Sequence, residues 1–269
     1  MSNYITNNEL FSYTIVNNSS SYELTIEDYN IIASAFGKWD DIVTKNERFT
    51  NGYTINVNFS VETLGYGILG GAQVLTLHYF DNYDFGNSYT DSGIIKLNET
   101  YMNSLRNTIH TDNKTTLYNV ILHEIGHILG IGSFWHMSGA PITAYSEYGI
   151  TKYYYTGTNA LREYKSYIPS ISNTIVGVPI EDNGGSGTQN VHPEEGDEGI
   201  ISSNSRYING YFHPGLDNEI MSCWMENQTK NAALSRISLG FLEDMGFIVD
   251  YTKVDNYEII LNQNYINTI

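Results

Sequence analysis

The clearest periodicity in the chain lies over residues 115–129, where Leu117, Val120, Ile121, Ile125, Ile128 and Leu129 form one broad apolar side and Gly130 follows. Spacings of three and four residues predict a helix, and a glycine just past the last apolar position fits the left-handed residue that ends many helices. Ile31, Ile32, Ala35, Phe36 and Trp39 repeat the pattern and predict a helix over 26–44. Ahead of it, Thr25-Ile26-Glu27-Asp28 reads as a capping box with Asp in the usual Glu position. A last helix is expected over 234–245, carried by Leu234, Ile237, Leu239, Phe241, Leu242 and Met245 and stopped by Gly246. Alternation with period two over 53–59 predicts a half-buried strand. Residues 72–79 read as a second strand and 94–97 as a short third. Residues 1–20 are polar and read as a surface arm, and from 132 to 220 the chain looks loop-rich, loosest at Gly184-Gly185-Ser186-Gly187. The order implies an α+β fold. A small twisted N-terminal sheet with two helices would face an irregular C-terminal lobe closed by a helix. The expected division is an arm (1–20), a single domain (21–250) and a C-terminal extension (251–269).

Composition narrows the partners. Hydrophobic residues make up 41% of the 269, enough for a packed core. Lys+Arg 13 against Asp+Glu 30 leaves a net charge of −17, which argues against nucleic acid and against an anionic membrane surface. A single cysteine, Cys223, rules out an intrachain disulfide framework. The opening Met1-Ser2-Asn3-Tyr4-Ile5 has neither the basic nor the apolar region of a secretory signal, and no run of about 18 apolar residues predicts a membrane span. A cytoplasmic or unconventionally exported protein is expected.

The chemistry concentrates in the strongest helix, at His123-Glu124-Ile125-Gly126-His127. Residues four apart share a helix face, so both imidazoles can reach one cation from a rigid element. Glu124 can approach a water at such a cation without ligating it and act as general base. A buried apolar helix that merely contained these residues would bury two imidazoles and a carboxylate without compensation. Zn²⁺ is the expected metal, and catalytic zinc takes three protein ligands.

His123 through Gly130 resembles the metzincin metallopeptidases, whose motif is H-E-x-x-H-x-x-G-x-x-H. The final position falls on Ser133, so a third ligand has to come from elsewhere. The leishmanolysin branch separates its third His by a long insertion. Gly130-Ile131-Gly132-Ser133-Phe134-Trp135, Gly184-Gly185-Ser186-Gly187-Thr188 and Asn218-Glu219-Ile220-Met221-Ser222 resemble that branch. The resemblance implies His192, which follows the glycine run and precedes Glu194-Glu195, as the third ligand. His213, nearer to Met221, stays as the alternative. It also implies that Met221 forms the turn beneath the ligands, that residues 234–247 close the domain, and that Gly93-Ile94-Ile95-Lys96-Leu97-Asn98 is the edge strand on which an extended substrate pairs.

Of the other histidines, His78, His110 and His136 read as ordinary polar residues. Cys223 reads as a small hydrophobe beside the Met turn rather than a ligand. The loop Asp81-Asn82-Tyr83-Asp84-Phe85-Gly86-Asn87 offers carboxylates for Ca²⁺, without full EF-hand spacing. Tyr145, Tyr148, Tyr153, Tyr154 and Tyr155 read as packing. The expectation is a zinc-dependent endopeptidase acting on polypeptides. The alternatives are a zinc hydrolase of another amide or ester, and an inactive zinc-stabilised scaffold that binds a protein partner.

Overall fold

Two short alternating segments begin the fold: β1 (Tyr4–Asn7) and β2 (Phe11–Asn17), paired antiparallel. The computed structural model describes residues 4–7, 9–44, 53–147, 149–196, 207–208 and 211–259. β2 overturns the expectation of a surface arm over 1–20. Phe11, Tyr13 and Ile15 are buried beneath α1 (Ile26–Ile42), where Tyr13 stacks on Phe36 with centroids 4.0 Å apart. Ser12 and Thr14 fall on the more open face, so a polar composition hid a period of two.

The capping box of α1 is present. Thr25 Oγ1 accepts from the Asp28 N–H at 3.3 Å, and Asp28 Oδ2 accepts from the Thr25 N–H at 2.8 Å. Tyr22 Oη donates to the same buried carboxylate at 2.9 Å, and the Arg106 guanidinium lies 3.5 Å away. α1 ends at Ile42, and the chain passes directly into β3 (Val43–Thr44).

β4 (Ile55–Glu62), β5 (Gly70–Tyr79) and β6 (Ser88–Asn98) complete a five-stranded sheet in the order β1-β2-β4-β6-β5. β2, β4 and β6 run parallel, with β1 and β5 antiparallel at the two edges. The edge strand expected at 93–98 is therefore an interior strand, and β5 is the edge. Ile95 and Leu97 are fully buried, whereas β5 exposes Leu75 and Tyr79 to solvent, as an edge allows. Strand order is a long-range property that the local pattern of 94–97 does not carry.

α2 (Met102–Asn107) leads into α3 (Thr116–Leu129), which packs on α1 and lies over β5 and β6. The core fills the space between these helices and the sheet, and extends to Phe241 and Met245 near the C-terminal end of the chain.

The region expected to be loops holds further structure. β7 (Ile142–Glu147) and β8 (Ile150–Tyr155) form a hairpin, and β9 (Val178–Pro179) adds to β8. Between them lies α4 (Thr158–Tyr167), whose buried positions are Ala160, Glu163 and Tyr164. Ala160, Leu161, Tyr164 and Tyr167 recur at helical spacing and face the core, a period that the loop-rich reading of 132–220 passed over. A small pair, β10 (Tyr207–Ile208) and β11 (Tyr211–Phe212), precedes α5 (Arg236–Asp244). Asp244 accepts from the N–H groups of Asn159 and Ala160 at 2.8 and 3.1 Å, which caps α4 from α5. β12 (Ile248–Val249) pairs back onto β3. The expected extension begins tied to the body, since Asp255 accepts from the Leu234 N–H at 3.1 Å and from Lys114 Nζ at 3.0 Å. Residues 260–269 lie outside the described ones. Among the described residues, no helix is long and apolar enough to cross a membrane.

Candidate metal centre

Of the residues in α3, only Tyr118 and His123 are not buried. Thr115 caps its start, its hydroxyl accepting from the Tyr118 N–H at 3.1 Å, and Gly130 ends it at φ +116°. Trp39 of α1 donates its indole N–H to the Leu122 carbonyl at 2.8 Å, bracing the helix next to His123. One turn on, Gly126 leaves room for Met221. A Cβ there would overlap Met221 Sδ and lie 2.9 Å from Met221 Cε. Met221 is thus a buried floor under the turn of α3 that carries His123 and His127.

Three imidazoles converge at this place. His123 Nε2 lies 3.0 Å from His127 Nε2 and 3.2 Å from His192 Nε2, and the last two are 2.9 Å apart. Each opposite nitrogen faces a backbone carbonyl: His123 Nδ1 to Ile220 O at 2.7 Å, His127 Nδ1 to Ile131 O at 2.8 Å, and His192 Nδ1 to Thr188 O at 2.9 Å. A carbonyl only accepts, so each Nδ1 carries the proton and each Nε2 presents a lone pair. Three lone pairs turned on one another repel unless a cation lies among them. Protonation is a poor remedy, because burial pushes all three imidazoles below their ordinary range, His192 to about 3. The donor set fits zinc. A tetrahedral centre with Zn–N of about 2.0–2.1 Å has N···N edges of about 3.3 Å, within a few tenths of those seen.

His192 arrives on a segment that crosses the end of α3 closely. Gly132 sits at φ +73°, and a Cβ there would overlap the Val191 carbonyl oxygen and lie 2.8 Å from its carbon. The His192 carbonyl accepts from the Glu181 N–H at 2.9 Å, and Ile180 and Pro193 form an isolated bridge. Ser133, the next residue along, is only partly buried and stands outside the convergence.

Glu124 is buried on the side of α3 facing β5. A Cβ on Gly70 would be 3.1 Å from Glu124 Oε1, so the glycine lets the edge strand pass close to the carboxylate. Burial pushes this carboxyl up to about 8.

His213 lies elsewhere. It is fully buried, its Nε2 accepts from the Val176 N–H at 3.1 Å, and its ring meets Tyr154 edge-on. His110 bonds Lys230 O and Thr116 Oγ1, while His78 and His136 are exposed. Cys223 Sγ points to Glu181 Oε2 at 3.4 Å, and burial next to that carboxylate raises its thiol. The proposed Ca²⁺ loop does not assemble a site. Asp84 accepts from Asn87 Nδ2 at 2.7 Å, and the converging carboxylate groups among the described residues are Glu181/Asp182/Glu194 and Glu195/Asp217/Glu226 instead. Tyr154 and Tyr155 are core residues, and Tyr148 lies outside the described ones.

A family model described as Matrixin, a peptidase family, matches residues 4–146, which is more than half of the chain. The chain belongs to the matrixin family. This matrixin is accordingly a metzincin-type zinc metallopeptidase, and its mixed α/β architecture is consistent with that fold. The match takes in the five-stranded sheet, α1, α3 and the motif on α3, and stops before His192 and Met221. No curated protein matches the chain. Sequence reasoning missed Glu219, a buried carboxylate two residues before Met221. Its one local signal was an acid beside the apolar pair Ile220-Met221.

Proposed function

We propose that this matrixin is a zinc-dependent endopeptidase in which His123, His127 and His192 hold the metal and Glu124 is the general base. The observation that carries the reading is the convergence of three unprotonated Nε2 atoms, each imidazole oriented through Nδ1 by a carbonyl, one residue from a buried carboxylate. Zinc bound there supplies Lewis acidity for the scissile carbonyl and a lowered pKa for the attacking water. Glu124 takes the proton from that water and returns it to the leaving amine. Pairing of an extended polypeptide antiparallel to the open edge of β5 brings its backbone past Gly70 and Glu124. The late third ligand is the leishmanolysin-like element of the reading, and residues from β2 through Asp255 form the catalytic unit.

Zinc content and cleavage of casein test this together, with mass spectrometry of the products to locate internal cuts. Wild type and Glu124→Gln should both hold one zinc, and the variant should cleave about 10²–10⁴-fold more slowly. His192→Ala should lose zinc and His213→Ala should keep it. A zinc-loaded wild type that cuts no polypeptide, or zinc lost only from His213→Ala, would overturn the assignment.

A further inference from the structure

One peptide unit in the turn at Met221 is hydrogen-bonded at both ends, and it connects His123 to a buried carboxylate. The carbonyl of Ile220 accepts from His123 Nδ1 at 2.7 Å. The N–H of the same peptide, on Met221, donates to Glu219 Oε2 at 2.6 Å. The other carboxylate oxygen, Oε1, accepts from the Ser235 N–H at 3.1 Å and from the hydroxyls of Ser235 and Ser238 at 2.7 Å each. The Ser235 hydroxyl already accepts from the Ile237 N–H at 3.1 Å, which leaves its proton for Glu219. Donors therefore surround both oxygens, the environment of an ionised carboxylate. Burial raises this carboxyl, and the same donors lower it again in part.

The turn does not need this charge to close. Ile220 N–H donates to Ala233 O and Ala233 N–H to Asn218 O, both at 2.8 Å, and Ser222 N–H donates to Glu219 O at 3.1 Å. A carboxylate kept in the core at this point, with a turn already closed by its backbone, calls for another role.

We propose that Glu219 is a positioning residue of the metal centre, acting on His123 through the Ile220–Met221 peptide. Its negative charge polarises that amide and makes the Ile220 carbonyl a stronger acceptor. The stronger acceptor holds the Nδ1–H tautomer of His123 and increases electron density on Nε2, as a carboxylate does when it bonds a ligating imidazole directly. The inference rests on the reading of His123 as a zinc ligand.

Glu219→Gln keeps the shape and removes the charge. Zinc affinity, measured by competition with a chromophoric chelator, should fall about 10- to 100-fold. The NMR resonance of the His123 Nδ1 proton should move upfield in the metal-free and zinc-loaded protein. Ser238→Ala removes one donor from the carboxylate, concentrates its charge on the Met221 N–H, and should move the same proton downfield. This second variant carries the test if Glu219→Gln does not fold. A folded Glu219→Gln with wild-type affinity and an unmoved proton overturns the proposal, and so does an unmoved proton in Ser238→Ala. His123→Ala separates the two ideas. If it retains wild-type zinc affinity, the ligand assignment fails, whereas lost zinc in His123→Ala with no effect at Glu219 sinks only the relay.

Discussion

Gly132→Ala tests the crossing that delivers His192, and the molecule contains its own control. Gly132 has φ +73° and Gly139 has φ +79°, so a methyl group meets a similar backbone penalty at either place, about 1–2 kcal/mol. At Gly139 a Cβ has nothing within 4 Å, while at Gly132 it overlaps the Val191 carbonyl. The Val191 peptide has to move on the order of 1 Å to regain ordinary separation, and His192 is the next residue. The common penalty lowers Tm by about 2–8 °C in either variant, taking about 2–4 °C per kcal/mol for a chain of this size. Only Gly132→Ala should also disturb the metal centre, where N···N edges of 2.9–3.2 Å leave little tolerance. A misplacement of about 1 Å typically costs on the order of 10² in activity, and a comparable loss of zinc affinity is expected. Differential scanning fluorimetry and chelator competition on both variants provide the comparison. Equal zinc affinities in the two, with equal Tm shifts, would refute the argument that this crossing sets the third ligand.

Gly126→Ala should cost about 1–3 kcal/mol through overpacking on Met221, offset by about 1 kcal/mol of helix propensity. A double-mutant cycle with Met221→Ala should show coupling above about 0.5 kcal/mol, and strict additivity would contradict the contact. In the metal-free protein, burial and the neighbouring His123 hold His192 at about 3, below its unfolded value. Between those values the unfolded chain binds the extra proton. The stability is therefore complete above about pH 6.5 and lost as pH falls, by about 2 kcal/mol at pH 5 from this group. Urea unfolding in chelator at both pH values measures it: His192→Gln should lose about that much of the pH dependence, the remainder coming from His123 and His127, and a pH dependence unchanged from wild type would refute the assignment to His192. Leu75→Asp on the open face of β5 should raise KM for casein several-fold with Tm nearly unchanged, and an unaltered KM would remove the edge from substrate binding.

The legible parts of this molecule were those whose signal is local. α3 announced itself through its apolar period and Gly130, and the spacing of His123 and His127 required only a helix. The capping box at Thr25 lay within four consecutive residues. The sequence left His192 and His213 open because both sit in irregular chain, and the difference between them is tertiary. His213 Nε2 is already occupied by the Val176 N–H, 37 residues away, whereas His192 Nε2 meets the two imidazoles of α3. β2 was hidden by its polar alternate residues. The reversal of β5 and β6 at the sheet edge depends on pairing that no single segment encodes. Glu219 escaped notice because its compensating donors, Ser235 and Ser238, lie 16 and 19 residues downstream.

The histidine from the C-terminal half stands 65 residues beyond His127. On the ligand assignment above, metal capture closes a loop of that length, an entropy change worth about 4 kcal/mol in the unfolded chain. The two histidines of α3 come together as soon as the helix winds, but a pair of imidazoles alone is an incomplete centre. Hydrolytic competence then arrives only when the later segment has threaded past Gly132 and docked. On that assignment, a chain that has formed only α3 carries the motif without a complete centre.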